Sequence, residues 1–91
     1  MHLGNTSEAI NALEKASALS PADANALYNL GLALKQAGRL REAEKAYERA
    51  ISIKPDYADV SFNLGNLLLN RGALVEAETK YKQAITSQPD F

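Results

Sequence analysis

The 91-residue sequence contains no cysteine, no tryptophan, a single histidine and no long hydrophobic run. Without cysteine there is no disulfide framework, no thiolate metal site and no cysteine nucleophile. The longest leucine run, Leu67 to Leu69, is far shorter than the roughly 20 residues that a membrane-spanning helix needs. The first residues also lack the charged and apolar regions of a signal peptide. We therefore expect a soluble protein without membrane insertion, cytoplasmic or otherwise intracellular.

An excess of charge of either sign is also lacking, since 10 Lys and Arg face 11 Asp and Glu, for a net charge of −1. Nucleic acid is not an expected partner, because phosphate binding needs a broad positive field. His2 has no partner for metal binding or general-base chemistry. Glu42 with Glu44, and Glu76 with Glu78, are two residues apart, so each pair is split between helix faces. We therefore expect no enzymatic activity, no cofactor and no metal.

The sequence repeats itself with a period of 34 residues. Residues 24–57 and residues 58–91, aligned without a gap, share 15 identities in 34 positions. Such self-similarity is the signature of a repeat protein. The residues of the first complete copy that recur are Ala24, Asn29, Leu30, Gly31, Leu34, Gly38, Leu40, Glu42, Ala43, Glu44, Tyr47, Ala50, Ile51, Pro55 and Asp56. An earlier partial copy retains Gly4, Glu8, Ala9, Ala12, Ala16 and Pro21.

Each complete copy contains two helical segments, since its apolar and small residues recur at helical spacing. Gly38 and Gly72 stand where the first helix of each copy ends, because glycine adopts the left-handed conformation without a steric penalty. Pro55 and Pro89 close the copies, and Asp56 is placed to cap the helix that follows. The pattern predicts an all-α fold of about five helices. Their expected ranges are about 5–19, 23–37, 40–53, 57–71 and 74–87.

The period divides the chain into a partial repeat over residues 1–23, which has only its second helix, and complete repeats over residues 24–57 and 58–91. Both ends thus look cut. The first helix has lost its hairpin partner, and no following helix covers the last one. Exposed apolar faces at both ends predict a homo-oligomer, formed through the terminal helices by stacking or by helix exchange.

The repeat resembles the tetratricopeptide repeat family over essentially the whole chain. The resemblance implies a right-handed solenoid of antiparallel helical hairpins that binds a protein or peptide. One departure is Ser61, where the family prefers a large apolar residue and the earlier copy has Leu27, so we expect weaker packing there. The residues that carry the resemblance are Leu27, Leu30, Gly31, Leu34, Ala43, Tyr47, Ala50 and Pro55, then Leu64, Gly65, Leu68, Ala77, Tyr81, Ala84 and Pro89.

Stacked repeats of this family curve, and the first helix of each hairpin lines the concave surface. The resemblance assigns six positions of each repeat to this groove, most of them polar or aromatic, and predicts that they bind the peptide. In the first complete repeat they are Asn25, Tyr28, Asn29, Leu32, Lys35 and Gln36. In the second they are Asp59, Phe62, Asn63, Asn66, Leu69 and Asn70.

The groove asparagines have two alternative roles. Asparagine is a mediocre helix former, yet Asn29, Asn63, Asn66 and Asn70 fall inside predicted helices. An amide offers both a donor and an acceptor, so a row of amides is suited to hold the backbone of an extended peptide. Asn29 and Asn63, which share one repeat position, resemble the asparagine ladder of O-GlcNAc transferases. The alternative is that these amides only form hydrogen bonds locally between hairpins.

Two of the aromatic residues also have alternative roles. Tyr28 and Phe62 stand where they could anchor apolar side chains of a partner, or pack against the next hairpin. Tyr47 and Tyr81 occupy the family's core aromatic position, and we predict that both pack in the interior.

Two comparisons narrow the class of partner. Family members that hold a C-terminal carboxylate have Lys and Arg where this chain has Asp59 and Asn63, and Asp59 would repel the anion. RNA-binding helical repeats of similar length have basic groove residues that this sequence lacks. The leading hypothesis is a scaffold that binds an extended peptide or assembles with its own kind. The alternative is a targeting arm of a larger enzyme such as a glycosyltransferase.

Overall fold

The computed structural model describes the backbone of residues 3–88 and the side chains of residues 6–88. Within this range the chain is all α, with five helices and no strand, and it forms a helical solenoid. The helices are α1 (Leu3–Leu19), α2 (Ala24–Gln36), α3 (Leu40–Ile53), α4 (Ala58–Asn70) and α5 (Leu74–Ser87). Each observed end lies within about two residues of its predicted place. The predicted fold class is therefore confirmed.

Two glycines terminate the first helix of each complete hairpin. Gly38 has a φ of 80° and Gly72 a φ of 82°, in the left-handed region that favours glycine. The backbone amide of Arg39 donates a hydrogen bond to the carbonyl oxygen of Leu34 at 2.9 Å, and the same bond recurs one repeat later. These bonds satisfy carbonyl groups at the helix end and set the tight turn into the next helix.

The starts of α2 and α4 differ. Asp23 accepts hydrogen bonds from the backbone amides of Asn25 and Ala26, at 3.0 and 3.2 Å, and so caps α2. The cap predicted at Asp56 is wrong, because Tyr57 precedes α4 and makes no side-chain cap bond. Tyr57 occupies the repeat position of Asp23. The prediction was therefore displaced by one residue, and α4 lacks the cap that α2 has.

The helices pack as two tight hairpins, α2 with α3 and α4 with α5, while α1 covers α2 and α3 covers α4. Gly31 allows the ring of Tyr47 to lie directly against the backbone of α2, since a Cβ at this position would overlap that ring. This close approach explains a glycine inside a helix despite its entropic cost. The largest fully buried side chains are Tyr47, Leu27, Leu64, Leu68, Val60 and Ser61.

Ser61 is a polar residue in this core. It is fully buried, and its Oγ has no hydrogen-bond partner among the described residues. Leu27, at the same position one repeat earlier, is equally buried. An unpaired buried hydroxyl costs about 1–3 kcal/mol, so we expect Ser61 to weaken the core of the second complete repeat.

The outer side of α5 is open. Leu74, Val75 and Ile85 are 61%, 79% and 56% exposed, which is high for apolar side chains in a folded protein. In the part of the chain that the structure describes, no helix is both long and apolar enough to cross a membrane.

Candidate peptide-binding groove

The predicted groove residues lie on α2 and α4, the first helices of the two complete hairpins. On each helix they follow one another at intervals of three or four residues, and therefore share one helix face. Those that are half-buried are Tyr28, Leu32, Asn63 and Asn66. Those that are exposed are Asn25, Asn29, Lys35, Gln36, Asp59, Phe62, Leu69 and Asn70.

Three tyrosine rings meet where the two hairpins join. The centroid of the Tyr28 ring lies 5.9 Å from that of Tyr47 and 5.3 Å from that of Tyr57, distances at which tilted aromatic pairs attract. The Nζ atom of Lys54 lies 4.7 Å from the Tyr57 ring centroid, which adds a cation–π contact. Tyr28 therefore packs against the next hairpin, the second of its two predicted roles.

Two groove asparagines are part of the same junction. The Nδ2 atom of Asn63 donates hydrogen bonds to the backbone oxygen of Asp59 at 2.8 Å and to Oη of Tyr28 at 3.2 Å. The hydroxyl of Tyr57 donates to Oδ1 of Asn25 at 2.7 Å. Asn63 thus bonds to the preceding repeat, and Asn25 to the residue that leads into α4. The carbonyl oxygen of Asn63 has no donor among the described residues.

The amide of Asn29 is different. It is exposed, and its side chain forms no hydrogen bond with any described residue. Asn63 bonds to Tyr28, whereas no described residue accepts a hydrogen bond from the amide of Asn29. Further along α4, Asn66 accepts a hydrogen bond from the hydroxyl of Tyr81 at 2.5 Å. Asn29 therefore presents both its donor and its acceptor, and Asn66 presents its donor.

The phenols at the junction are neutral. Burial raises the pKa of Tyr28, the carboxylate of Asp59 raises this pKa further, and the hydrogen bond from Asn63 opposes both effects. Burial also raises the pKa of Tyr57, to which Tyr28 and Asp59 add. Both hydroxyls stay protonated at physiological pH. Since Lys35 and Asp59 are the only charged members of the predicted set, the groove is mainly a neutral polar surface.

Phe62 lies next to Asn63 on α4 and packs against Tyr81 of α5. It is 42% exposed, and its ring centroid lies 5.7 Å from that of Tyr81. Phe62, Tyr81, Ala84 and Ile85 line an apolar cavity of about 290 Å³. Tyr81 is half-buried, whereas Tyr47 has no exposed surface. Both tyrosines therefore pack against the core, but Tyr81 is enclosed less completely than Tyr47, because α4 covers α3 and no described helix covers α5.

The structure thus groups Asn25, Tyr28, Asp59 and Asn63 at the junction, and brings Phe62 and Asn66 to Tyr81. The other predicted residues have side chains without a hydrogen bond, ion pair or ring contact to any described residue. They are Asn29, Leu32, Lys35, Gln36, Leu69 and Asn70. Within the described range there is also no group of three His, Cys, Asp or Glu residues that could hold a metal ion.

Two residues that join the repeats were not predicted from the sequence. Tyr57 contacts both Tyr28 and Asn25, and its only signal was an aromatic residue at the last position of the repeat, as at Phe91. Glu44 is 5% exposed, and its Oε2 lies 2.9 Å from Nε of Arg71. These contacts of Tyr57 and Glu44 could not be predicted from the sequence, because they depend on how neighbouring hairpins stack.

Models of one protein family match most of the chain. A model described as "Tetratricopeptide repeat" matches residues 24–57 and a second with this description matches residues 46–79, while one described as "TPR repeat" matches residues 1–38. No curated protein sequence matches the chain.

Several solved structures share the fold. A crystal structure of MamA is 34% identical, with a TM-score of 0.90, and the match covers 94% of this chain and 50% of that one. The structure titled "YrrB: a TPR protein with an unusual peptide-binding site" is 27% identical, with a TM-score of 0.86, over 97% of this chain and 45% of that one. MamA from Desulfovibrio magneticus RS-1 is 24% identical, with a TM-score of 0.88, over 94% and 49%, and this likeness concerns the fold alone. The chain therefore spans about half the length of these structures.

Proposed function

Because the chain belongs to the tetratricopeptide repeat family, we propose that it is a protein-interaction scaffold whose groove binds an extended segment of a partner. The observation that carries this proposal is the amide of Asn29, which is exposed and unpaired among the described residues in the middle of α2. Asparagine weakens a helix, so its presence there needs another benefit. Binding of a ligand is such a benefit.

Three groove amides together suit a peptide backbone. Asn29 offers a donor and an acceptor, Asn63 an acceptor and Asn66 a donor. An extended peptide presents amide hydrogens and carbonyl oxygens in alternation, so amides bind it without reading its side chains. This short row is the counterpart of the asparagine ladder that the sequence resembles in O-GlcNAc transferases. The likeness to YrrB, whose title names a peptide-binding site, supports the same role.

The test is a peptide array followed by affinity measurement with the best uncharged decapeptide. Asn29→Ala is expected to weaken binding about tenfold, since it removes two hydrogen bonds of roughly 0.7 kcal/mol each. Asn11→Ala is the matched control, because Asn11 is an exposed asparagine on α1, outside the groove, and it should leave the affinity unchanged. Equal affinities for the wild type and Asn29→Ala would contradict the proposal.

We also propose that the protein self-associates through its terminal helices. The exposure of Leu74 and Ile85 on α5 supports this proposal, since apolar side chains grouped on one face favour contact with another surface. Sedimentation over a range of concentrations is the test. A single monomeric species at high micromolar concentration would refute self-association and leave the proposed groove function untouched.

A further inference from the structure

The open side of α5 has a covered counterpart within the same chain. We define the end face as Phe62 of α4 with Leu74, Glu78, Tyr81 and Ile85 of α5. One period earlier, the same repeat positions are held by Tyr28, Leu40, Glu44, Tyr47 and Ile51. That earlier set lies where α3 packs against α4. The end face therefore has the composition of a helix junction.

Exposure shows what the end face lacks. Tyr47 has no exposed surface, whereas Tyr81 is half-buried. The side chain of Glu44 is 6% exposed and that of Glu78 is 70% exposed. Since the positions are equivalent, the difference comes from the helix that covers α3 and has no counterpart on α5 among the described residues.

The covering helix α4 defines the chemistry that fits such a face. Its preceding residue Tyr57 packs on the ring of Tyr28 at 5.3 Å. Ala58, Ser61 and Leu64, which follow Tyr57 by one, four and seven residues, are all buried. Arg71, fourteen residues after Tyr57, follows the last residue of α4 and pairs with Glu44. The aromatic residue and the cation thus contact the earlier hairpin directly, and the buried residues between them are small or aliphatic.

The two junctions between successive hairpins differ in whether they contain an ion pair. At the first junction the equivalents of Glu44 and Arg71 are Ile10 and Ala37, two apolar residues that line one cavity. At the second junction, Glu44 pairs with Arg71 at 2.9 Å. The end face carries Glu78 and is therefore of the second, ionic type.

The one ion pair that Glu78 makes among the described residues is weak. Its Oε1 lies 3.8 Å from Nζ of Lys82, and both side chains are at least 70% exposed. Exposed pairs of this kind contribute little to stability. Glu78 is therefore available to a cation on an incoming helix.

We propose that the end face binds an amphipathic helix of a partner protein that carries an aromatic residue at its start and an arginine or lysine fourteen residues later. The apolar residues between them cover Tyr81 and Ile85, and the cation pairs with Glu78. Lys80 replaces the buried Ala46 of the earlier repeat, so the two faces are similar but not identical. The end face adjoins the groove through Phe62 and through the hydrogen bond of Tyr81 to Asn66, whereas Asn29 lies on α2, outside the end face.

A labelled synthetic peptide of residues 55–73 of this chain is the probe. Fluorescence anisotropy is expected to show saturable binding to the 91-residue protein, and circular dichroism a gain of helix on binding. The peptide variant Arg71→Glu should bind about fivefold more weakly, since one partly exposed ion pair is lost and a repulsion is added. Absence of binding by the unmodified peptide would overturn the proposal.

Charge reversal on the protein tests the pairing. Glu78→Arg is expected to weaken binding of the unmodified peptide and to restore binding of the Arg71→Glu peptide. Both residues concerned are exposed in their respective molecules, so the variants should fold. Equal effects of Glu78→Arg on both peptides would remove Glu78 from the site.

Two further variants locate the peptide. Ile85→Asp should abolish binding, whereas Val75→Asp should not, because Val75 occupies the position of Arg41, which stays 74% exposed beside α4. Asn29→Ala should also leave the affinity unchanged, and a loss would instead assign the peptide to the groove and overturn the proposal.

If a second copy occupies the end face, the peptide must dissociate the oligomer in sedimentation. An oligomer that saturating peptide leaves intact would also contradict the inference.

Discussion

The amide nitrogen of Asn63 lies 3.2 Å from the phenolic oxygen of Tyr28 and donates a hydrogen bond to it, which joins α4 to α2. Asn29 is the same residue type at the same repeat position, yet it has no such partner. We therefore propose two roles for this position of the repeat. Asn63 joins two repeats through its bond to Tyr28, and the exposed amide of Asn29 binds a ligand.

The first prediction separates these roles by stability. Asn29→Ala is expected to raise the free energy of unfolding by about 0.5 kcal/mol, because alanine is the better helix former and no bond is lost. Asn63→Ala should lower it by about 0.5–1 kcal/mol, because two hydrogen bonds outweigh the same gain in helix propensity. Urea denaturation followed by circular dichroism gives both values. Equal shifts in the two variants would mean that the bond to Tyr28 contributes nothing.

The helices and turns were predictable, because they depend on residues close in sequence. Gly38 ends α2 through its own backbone conformation, and the helical spacing of the apolar residues defined each helix to within about two residues. The misplaced cap at Asp56 was the exception. The period alone could not tell a cap from the residue before it.

The long-range contacts were not predictable, because they join residues about one period apart. The bond between Asn63 and Tyr28 spans 35 residues, and that between Tyr57 and Asn25 spans 32. The partial exposure of Tyr81 was not predictable for a related reason. A residue can match the core position of its repeat and still be half-buried when no following hairpin covers it.

A second prediction concerns the glycines beneath the two tyrosines. Gly31→Ala should destabilise the protein by about 2 kcal/mol, since the added Cβ would overlap the ring of Tyr47, which is fully enclosed. Gly65→Ala is the matched control. Its Cβ would lie 2.8 Å from Cε1 of Tyr81, and that ring has open space beside it, so we expect a change below about 0.5 kcal/mol. Thermal unfolding of both variants is the measurement, and equal losses would contradict the difference in enclosure.

A third prediction follows from the buried phenol of Tyr47. Burial, with a smaller contribution from Tyr28, raises the pKa of Tyr47 to about 12. The unfolded chain therefore loses this proton at lower pH than the folded chain, so stability is fully present below about pH 10 and falls as pH rises towards 12. Tyr47→Phe should reduce this alkaline loss, although Tyr28 and Tyr57 contribute to it as well. Urea denaturation at pH 8 and pH 11 tests this, and an unchanged pH dependence in Tyr47→Phe would contradict it.

A fourth prediction concerns Ser61. Its Oγ is buried without a partner among the described residues, so Ser61→Ala removes an unpaired polar atom while keeping nearly the same volume. We expect the free energy of unfolding to rise by about 1 kcal/mol, with help from the higher helix propensity of alanine. Ser52→Ala is a control on an exposed site and should change it by less than about 0.5 kcal/mol. A loss of stability in Ser61→Ala would indicate that the hydroxyl is paired after all.

The last prediction exchanges the two types of junction. Arg71→Ala should destabilise the protein, because among the described residues it leaves the buried carboxylate of Glu44 with Arg41 alone, at 3.8 Å. At the first junction, Ile10 and Ala37 hold the equivalent positions without any charge. The double variant Glu44→Ile with Arg71→Ala should therefore recover most of the lost stability, since an apolar pair often replaces a buried ion pair without loss. Chemical denaturation of the single and double variants measures the recovery. A double variant less stable than Arg71→Ala would mean that the two junctions differ in geometry as well as in charge, and that the ion pair is not exchangeable for the apolar contact.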